Sequence, residues 1–145
     1  MEWAGSEADF NIGDEVFGFT MFGAYSSKLL VPCRQVRRVP KIASLPAIAG
    51  VPAVAATALH AIALSGGWPN QLQTVNRAVL IHSAAGGVGS MLIQMCKILG
   101  YSPIVAVVGS SHKVDFCSKL GADIVIDKSN FSSSSSMWSK IHEQV

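Results

Sequence analysis

The segment VLIHSAAGGVGSMLIQMCKILG, residues 79–100, constrains the fold more than any other part of the chain. Ala78-Val79-Leu80-Ile81-His82 is a short apolar run of the kind that forms a buried parallel strand. A glycine-rich turn comes next, and then Val88, Met91, Leu92, Met95, Cys96 and Leu99 recur at i, i+3, i+4, i+7, i+8 and i+11, one face of an α-helix. Gly100 stands where a helix C-terminal glycine belongs. Residues 104–108 read as a second strand, residues 113–120 as a short helix stopped by Gly121, and residues 124–126 as a third strand. Strand, helix, strand, helix, strand is a βαβαβ unit, so the spacing predicts an α/β fold built on a parallel sheet.

The first part of the chain reads differently. Gly13-Asp14 is a turn signal before a short strand at 16–19, and Gly23 opens a second strand at 24–31. Pro32 and Pro40 punctuate the residues after that strand. Residues 52–64 read as a helix that tolerates Pro52 in its first turn and ends at Ser65-Gly66-Gly67, before a polar loop at 70–76. Near the end, the serine run 132–136 reads as loop and 137–145 as a short helix. The expected organisation is a mostly β segment over 1–50, a connecting helix and loop over 51–74, and a βαβαβ unit over 75–145.

Composition narrows the function classes. Half of the 145 residues are hydrophobic and only 14% are charged, enough to bury a core. The net charge is +2 and no basic cluster is longer than Arg37-Arg38, which argues against a nucleic-acid partner. Three cysteines, Cys33, Cys96 and Cys117, are odd in number and far apart, which favours a reduced, cytoplasmic setting over a disulfide frame or metal site. The N-terminus is acidic and lacks the apolar stretch of a secretory signal. Residues 45–64 form twenty uncharged residues, but eight are alanine, and Pro46, Gly50, Pro52 and His60 interrupt them. A buried helix is expected there rather than a membrane span.

The turn at 84–89 fits a dinucleotide-binding pattern with one change: G-x-G-x-x-G appears as Ala84-x-Gly86-x-x-Gly89. Free N–H groups and the helix dipole at such a turn favour an anion. Gly86 permits close approach of a pyrophosphate, and Gly89 permits close packing of helix on strand. Ala85, Gly86, Gly87, Val88 and Gly89 are therefore candidate cofactor-binding residues; the alternative is a purely structural turn. In NAD-binding folds an acid about 20 residues further on holds the ribose hydroxyls. Here that distance reaches Gly109-Ser110-Ser111-His112-Lys113, with no acid until Asp115. Two hydroxyls and an ammonium would receive a 2′-phosphate, so the reading is NADP rather than NAD. Ser110 or Ser111 would also serve as a helix cap, a compatible role.

Other candidates are weaker. Tyr25 could donate a proton, but a strand tyrosine usually serves packing. The three cysteines read as inert, and His60 and His82, lying in apolar runs, read as satisfied buried histidines. No Ser/His/Asp set, P-loop or carboxylate pair stands out, and no catalytic residue is assigned.

Together the stretches FNIGDEVFGF (10–19), GAYSSKLLV (23–31), VPAVAATALHAI (51–62), VLIHSAAGGVG (79–89) and KLGADIVID (119–127) resemble the medium-chain dehydrogenases/reductases, in particular the zinc-independent, zeta-crystallin-like quinone oxidoreductase branch. The resemblance covers roughly residues 9–128. It implies part of a GroES-like β-barrel (1–50) joined to a partial Rossmann domain (75–145). It also implies NADPH as hydride donor to a quinone or to the double bond of an enal or enone. Thr57 matches the threonine on the nicotinamide side of the cofactor, and Lys113 the basic residue near the 2′-phosphate.

The alcohol dehydrogenase branch of that superfamily holds catalytic zinc with a cysteine at the position of Ala53, and carries a four-cysteine lobe where this chain has only Thr20-Met21-Phe22. The resemblance therefore implies no metal. It also places Lys128 where a tyrosine often follows the third strand. A full domain of this type has about six strands and only three are legible, so the chain reads as an internal or truncated portion. The resemblance implies a homodimer for the full-length form.

Overall fold

The computed structural model describes residues 10–66 and 77–143. The chain divides into two compact units, Met1–Ala53 and Val54–Val145.

In the first unit, β1 (Val16–Gly18) pairs antiparallel with β2 (Val36–Arg38), so that Val16 faces Arg38 and Gly18 faces Val36. The Asp14 carboxylate accepts from Arg38 Nε at 3.1 Å and from the Asn11 amide at 2.9 Å, which closes the turn ahead of β1. The strand expected over 24–31 does not form. Gly23 has φ +81° and accepts from Ser26 N, and the residues after it run through turns and bends. Tyr25-Ser26-Ser27-Lys28 is exposed on both sides, so alternation of side chains selects no buried face there. Tyr25 accordingly does not pack in a strand but is fully exposed.

The apolar run at 45–64 splits into two helices, α1 (Leu45–Ala49) and α2 (Val51–Leu64), with Gly50 between them. No helix among the described residues is long and apolar enough to cross a membrane. Ala58 and Ile62, one turn apart, are the buried positions of α2. His60 lies on its exposed side, contrary to the buried position expected of it, because a helix with one buried stripe turns the intervening positions outward. The polar loop expected at 70–76, and Gly67, lie outside the described residues.

The second unit is a three-stranded parallel sheet, β3 (Val79–Ile81), β4 (Ile104–Val108) and β5 (Ile124–Asp127), in the order β3-β4-β5. All five residues of the central β4 are buried. Ile104, Ala106 and Val108 meet α2, α3 (Gly87–Ile98) and α4 (Val114–Leu120) through Ile62, Ile93, Cys96 and Cys117. Val105 and Val107 face the other way, onto Met137 and Ile141 of α5 (Ser134–His142). Helices on both faces explain why β4 reads as an unbroken apolar run. Leu99 caps α3 before Gly100 at φ +80°, and Gly121 ends α4 at φ +110°. The sheet is that of a Rossmann half.

Two details differ from expectation. The helical face expected for α3 omits Ile93, which is fully buried. The serine run is not all loop: α5 begins inside it, with the Ser133 hydroxyl accepting from the Ser136 amide at 3.3 Å. Serine is a favoured N-cap, and Met137 and Ile141, spaced i, i+4, anchor the helix on the sheet.

Candidate functional site

Three turns leave the carboxyl ends of β3, β4 and β5, the edge at which parallel α/β sheets bind ligands. The first joins β3 to α3. Ser83 takes a left-handed backbone (φ +51°), and Gly86 N donates back to Ser83 O at 2.9 Å. Ala84, fully buried, donates its N–H to Val107 O at 3.1 Å and so pins the turn to β4. Gly86 is the N-cap of α3, and no side chain caps this end. The first-turn N–H groups of Gly87, Val88 and Gly89 have no intrahelical acceptor and point out of a positive dipole end. Such a turn suits an oligophosphate anion.

The glycines have different reasons to be glycine. A Cβ on Gly89 would stand 2.5 Å from Ser83 O and 2.7 Å from Ala84 Cα, so this residue sets the helix–strand distance. A Cβ on Gly86 would meet only Ser83 O, at 3.2 Å, and one on Gly87 would meet Val54 Cγ1 at 3.0 Å. The latter contact brings α2 to the turn. Thr57 lies one turn beyond Val54 on the same side of α2 and is exposed. Ala85 is half-buried against the core.

The second turn comes after β4. Gly109 is exposed, Ser110 is the N-cap of a 3-10 turn at Ser111–Lys113 without a side-chain cap bond, and His112 and Lys113 are exposed. The cap role expected of Ser110 or Ser111 is thus not made by either hydroxyl. Ser111 Oγ instead donates to Asp127 Oδ2 at 2.7 Å.

Asp127 stands at this edge, where counting along the sequence does not place it. Counting forward from β4 reaches Asp115 as the first acid, whereas Asp127 ends the neighbouring strand β5 beside Val108. It is 6% exposed, and its Oδ1 accepts from Ser129 Oγ at 2.7 Å and Ser129 N at 2.9 Å. The Ser111 hydroxyl first, then the Ser129 hydroxyl and amide, hold its carboxyl below the usual carboxylate range. The available signal was an acid closing an apolar strand at the carboxyl edge of a parallel sheet. His82, exposed rather than buried as expected, directly follows β3 at the same edge and stacks obliquely on Trp138, ring centroids 5.8 Å apart.

Comparison with known proteins agrees with this architecture. A family model described as "Zinc-binding dehydrogenase" matches residues 87–145. The chain is 33% identical over 113 residues, 77% of its length, to "Highly reducing polyketide synthase gloL" of Glarea lozoyensis, covering 4% of that protein. It is 32% identical over 118 residues, 81% of its length, to "Probable quinone oxidoreductase" of Schizosaccharomyces pombe, covering 34% of it. A quinone oxidoreductase structure from Pseudomonas syringae pv. Tomato superposes with a TM-score of 0.79 at 26% identity, over 97% of this chain and 42% of that one.

The chain belongs to the quinone oxidoreductase-like branch of the medium-chain dehydrogenase/reductase superfamily. It spans about a third of the length of its quinone oxidoreductase relative. The zinc in the family model's description finds no fitting donors here: among the described residues no three His, Cys, Asp or Glu side chains come together. Cys96 and Cys117 are both buried in the apolar core, and burial pushes the Cys96 thiol up to about 11. The residues at the three strand tips do fit a dinucleotide phosphate: an uncapped helix start next to a glycine turn, with ammonium groups on the turns beside it.

Proposed function

We propose that the chain carries the dinucleotide-binding part of an NADPH-dependent oxidoreductase that reduces a quinone or the double bond of an enal or enone. The observation that carries this reading is the Gly86–Gly89 turn: an uncapped helix N-terminus, pinned by Ala84 N–H to β4, at the carboxyl edge of a parallel sheet. Kinship to a quinone oxidoreductase and to a highly reducing synthase supports reduction as the chemistry.

Bound nicotinamide supplies the hydride, and the chain's own residues bind and orient. The backbone from Ala85 to Gly89 holds the pyrophosphate. Thr57, on α2 beside the turn, serves the nicotinamide side. Gly109, Ser110, Ser111 and Lys113 form the adenosine-phosphate end, Ser111 through its backbone and its bond to Asp127. The reading carries hydride transfer without zinc, a cytoplasmic setting and a homodimeric assembly.

The test is direct. NADPH binding to the full chain is measured by titration calorimetry, and its oxidation is followed with a panel of quinones and enals. Binding with turnover supports the enzyme reading. Binding without turnover identifies a catalytically incomplete nucleotide-binding module, and absence of binding overturns both.

A further inference from the structure

The loop that joins β1 to β2, residues 19–35, carries the exposed large apolar side chains Phe19, Met21, Phe22, Tyr25, Leu29 and Leu30. Met21, Phe22 and Leu30 are 82%, 81% and 84% exposed. Single apolar residues scattered over a surface are ordinary, but a cluster in one loop marks an interaction site. The loop is closed on itself. Thr20 Oγ1 donates to Phe22 O at 3.2 Å, and Ser26 N donates to Gly23 O at 3.0 Å. Leu29 Cδ1 lies 2.8 Å from where a Cβ on Gly23 would be. That contact joins the two arms of the loop, so Phe22 and Leu30, the residues that flank it, lie at one tip.

The charge of the loop has one sign. Residues 16–37 contain Lys28, Arg34 and Arg37 and no acid. All three cations are exposed. Arg37 Nη1 donates to Arg34 O at 3.1 Å and to Val36 O at 2.8 Å, which turns its guanidinium toward the loop end of the strand pair. Asp14 and Glu15 stand at the other end of that pair, where Glu15 O accepts from Val39 N at 2.9 Å and Asp14 is engaged by Arg38. The loop is therefore apolar at its tip and cationic behind it, with no carboxylate of its own.

We propose that this loop is a peripheral docking surface for an anionic phospholipid bilayer. Met21, Phe22 and Leu30 enter the acyl boundary, and Lys28, Arg34 and Arg37 lie at the level of the headgroups. Apolar side chains flanked by cations are the chemistry of interfacial binding, in which buried apolar area and attraction to anionic lipid add. A second copy of the chain fits less well, because an isologous contact sets a patch against itself and would oppose the same cations. An acidic protein also fits less well, because one loop is small beside the roughly 800 Å² that each side of a standard protein interface buries. The loop contains none of the residues of the Gly86–Gly89 turn, so its docking does not depend on cofactor binding.

The experiment floats the full chain with vesicles of phosphatidylcholine alone and of an equal mixture with phosphatidylserine. At about 0.1 M salt the chain is expected to partition at least about tenfold more strongly to the mixed vesicles, and at about 1 M salt, where screening is strong, to lose that preference. The double variants Phe22→Ser/Leu30→Ser and Lys28→Gln/Arg34→Gln are each expected to lose about tenfold or more of this partitioning while keeping the wild-type unfolding midpoint. Equal flotation with both vesicles, or flotation with neither, overturns the proposal. Undiminished flotation of Lys28→Gln/Arg34→Gln overturns it as well, even if the apolar pair proves to be needed for folding. Polyglutamate binding as strong as vesicle binding assigns the loop to an acidic protein and overturns the lipid. A dimer in sedimentation velocity that Phe22→Ser/Leu30→Ser dissolves, without flotation of the wild type, assigns the loop to a contact between copies and overturns it too.

Discussion

Gly89 and Ser83 approach so closely that a Cβ on the glycine would stand 2.5 Å from the serine carbonyl oxygen. The obstacle is backbone on every side, because Ala84 Cα and C are the next atoms met. Neither partner moves without displacing β3 from α3. Gly89→Ala is expected to destabilise the second unit by about 1–3 kcal/mol, the range for overpacking a filled core. Denaturant unfolding checks this, and a midpoint equal to that of wild type would refute the packing role.

Gly86 makes a contrasting prediction. Its Cβ would meet only one atom, at 3.2 Å, so the turn yields by a few tenths of an ångström. Gly86→Ala is expected to leave the unfolding midpoint close to wild type while weakening NADPH at least about tenfold. Calorimetric titration beside a melting curve separates the two glycines. Loss of stability without loss of affinity would reverse the assignment.

Tyr101 lies in the core beside Ile104 and Cys96, and its hydroxyl meets no hydrogen-bond partner among the described residues. A buried, unsatisfied hydroxyl destabilises the native state, since unfolding returns it to water. Tyr101→Phe is expected to raise stability by about 1 kcal/mol. A lowered midpoint would show that the hydroxyl is bonded in solution.

The cysteines predict a reactivity order and an alkaline limb. Cys33 is exposed, while Cys96 and Cys117 are buried. At neutral pH one thiol per chain is expected to react with a thiol reagent, and all three after unfolding. Burial raises the Cys96 thiol from 9.0 to about 11, and raises Cys117 as well. The native state therefore holds these protons longer than the unfolded chain. That stability is fully present below the unfolded value and is lost as pH rises through the window from 9.0 to about 11. For Cys96 the loss amounts to about 2–3 kcal/mol. Cys96→Ala is expected to flatten the alkaline limb, which chemical denaturation at stepped pH would reveal.

The legible parts of the fold were those governed by local rules. β3, β4 and β5 are apolar runs bounded by turn residues, α3 carries a helical repeat, and Gly100 and Gly121 end their helices in the left-handed conformation that favours glycine. The strand expected at 24–31 failed because mixed polarity does not specify a ladder partner. The helix start inside the serine run was hidden because a polar run reads as loop until Met137 and Ile141 find the sheet.

The candidate site divides the same way. Sequence alone determined the Gly86–Gly89 turn between strand and helix, because spacing along one segment fixes which backbone groups are left unpaired at a helix start. It also placed Ser110, Ser111 and Lys113 after the next strand. Only the tertiary structure decided that Asp127 binds Ser111 from 16 residues away, that Lys128 crosses Gly109, and that His82 meets Trp138. Those relationships arise from strands paired side by side, and the lateral order of strands in a parallel sheet is written in no single local pattern.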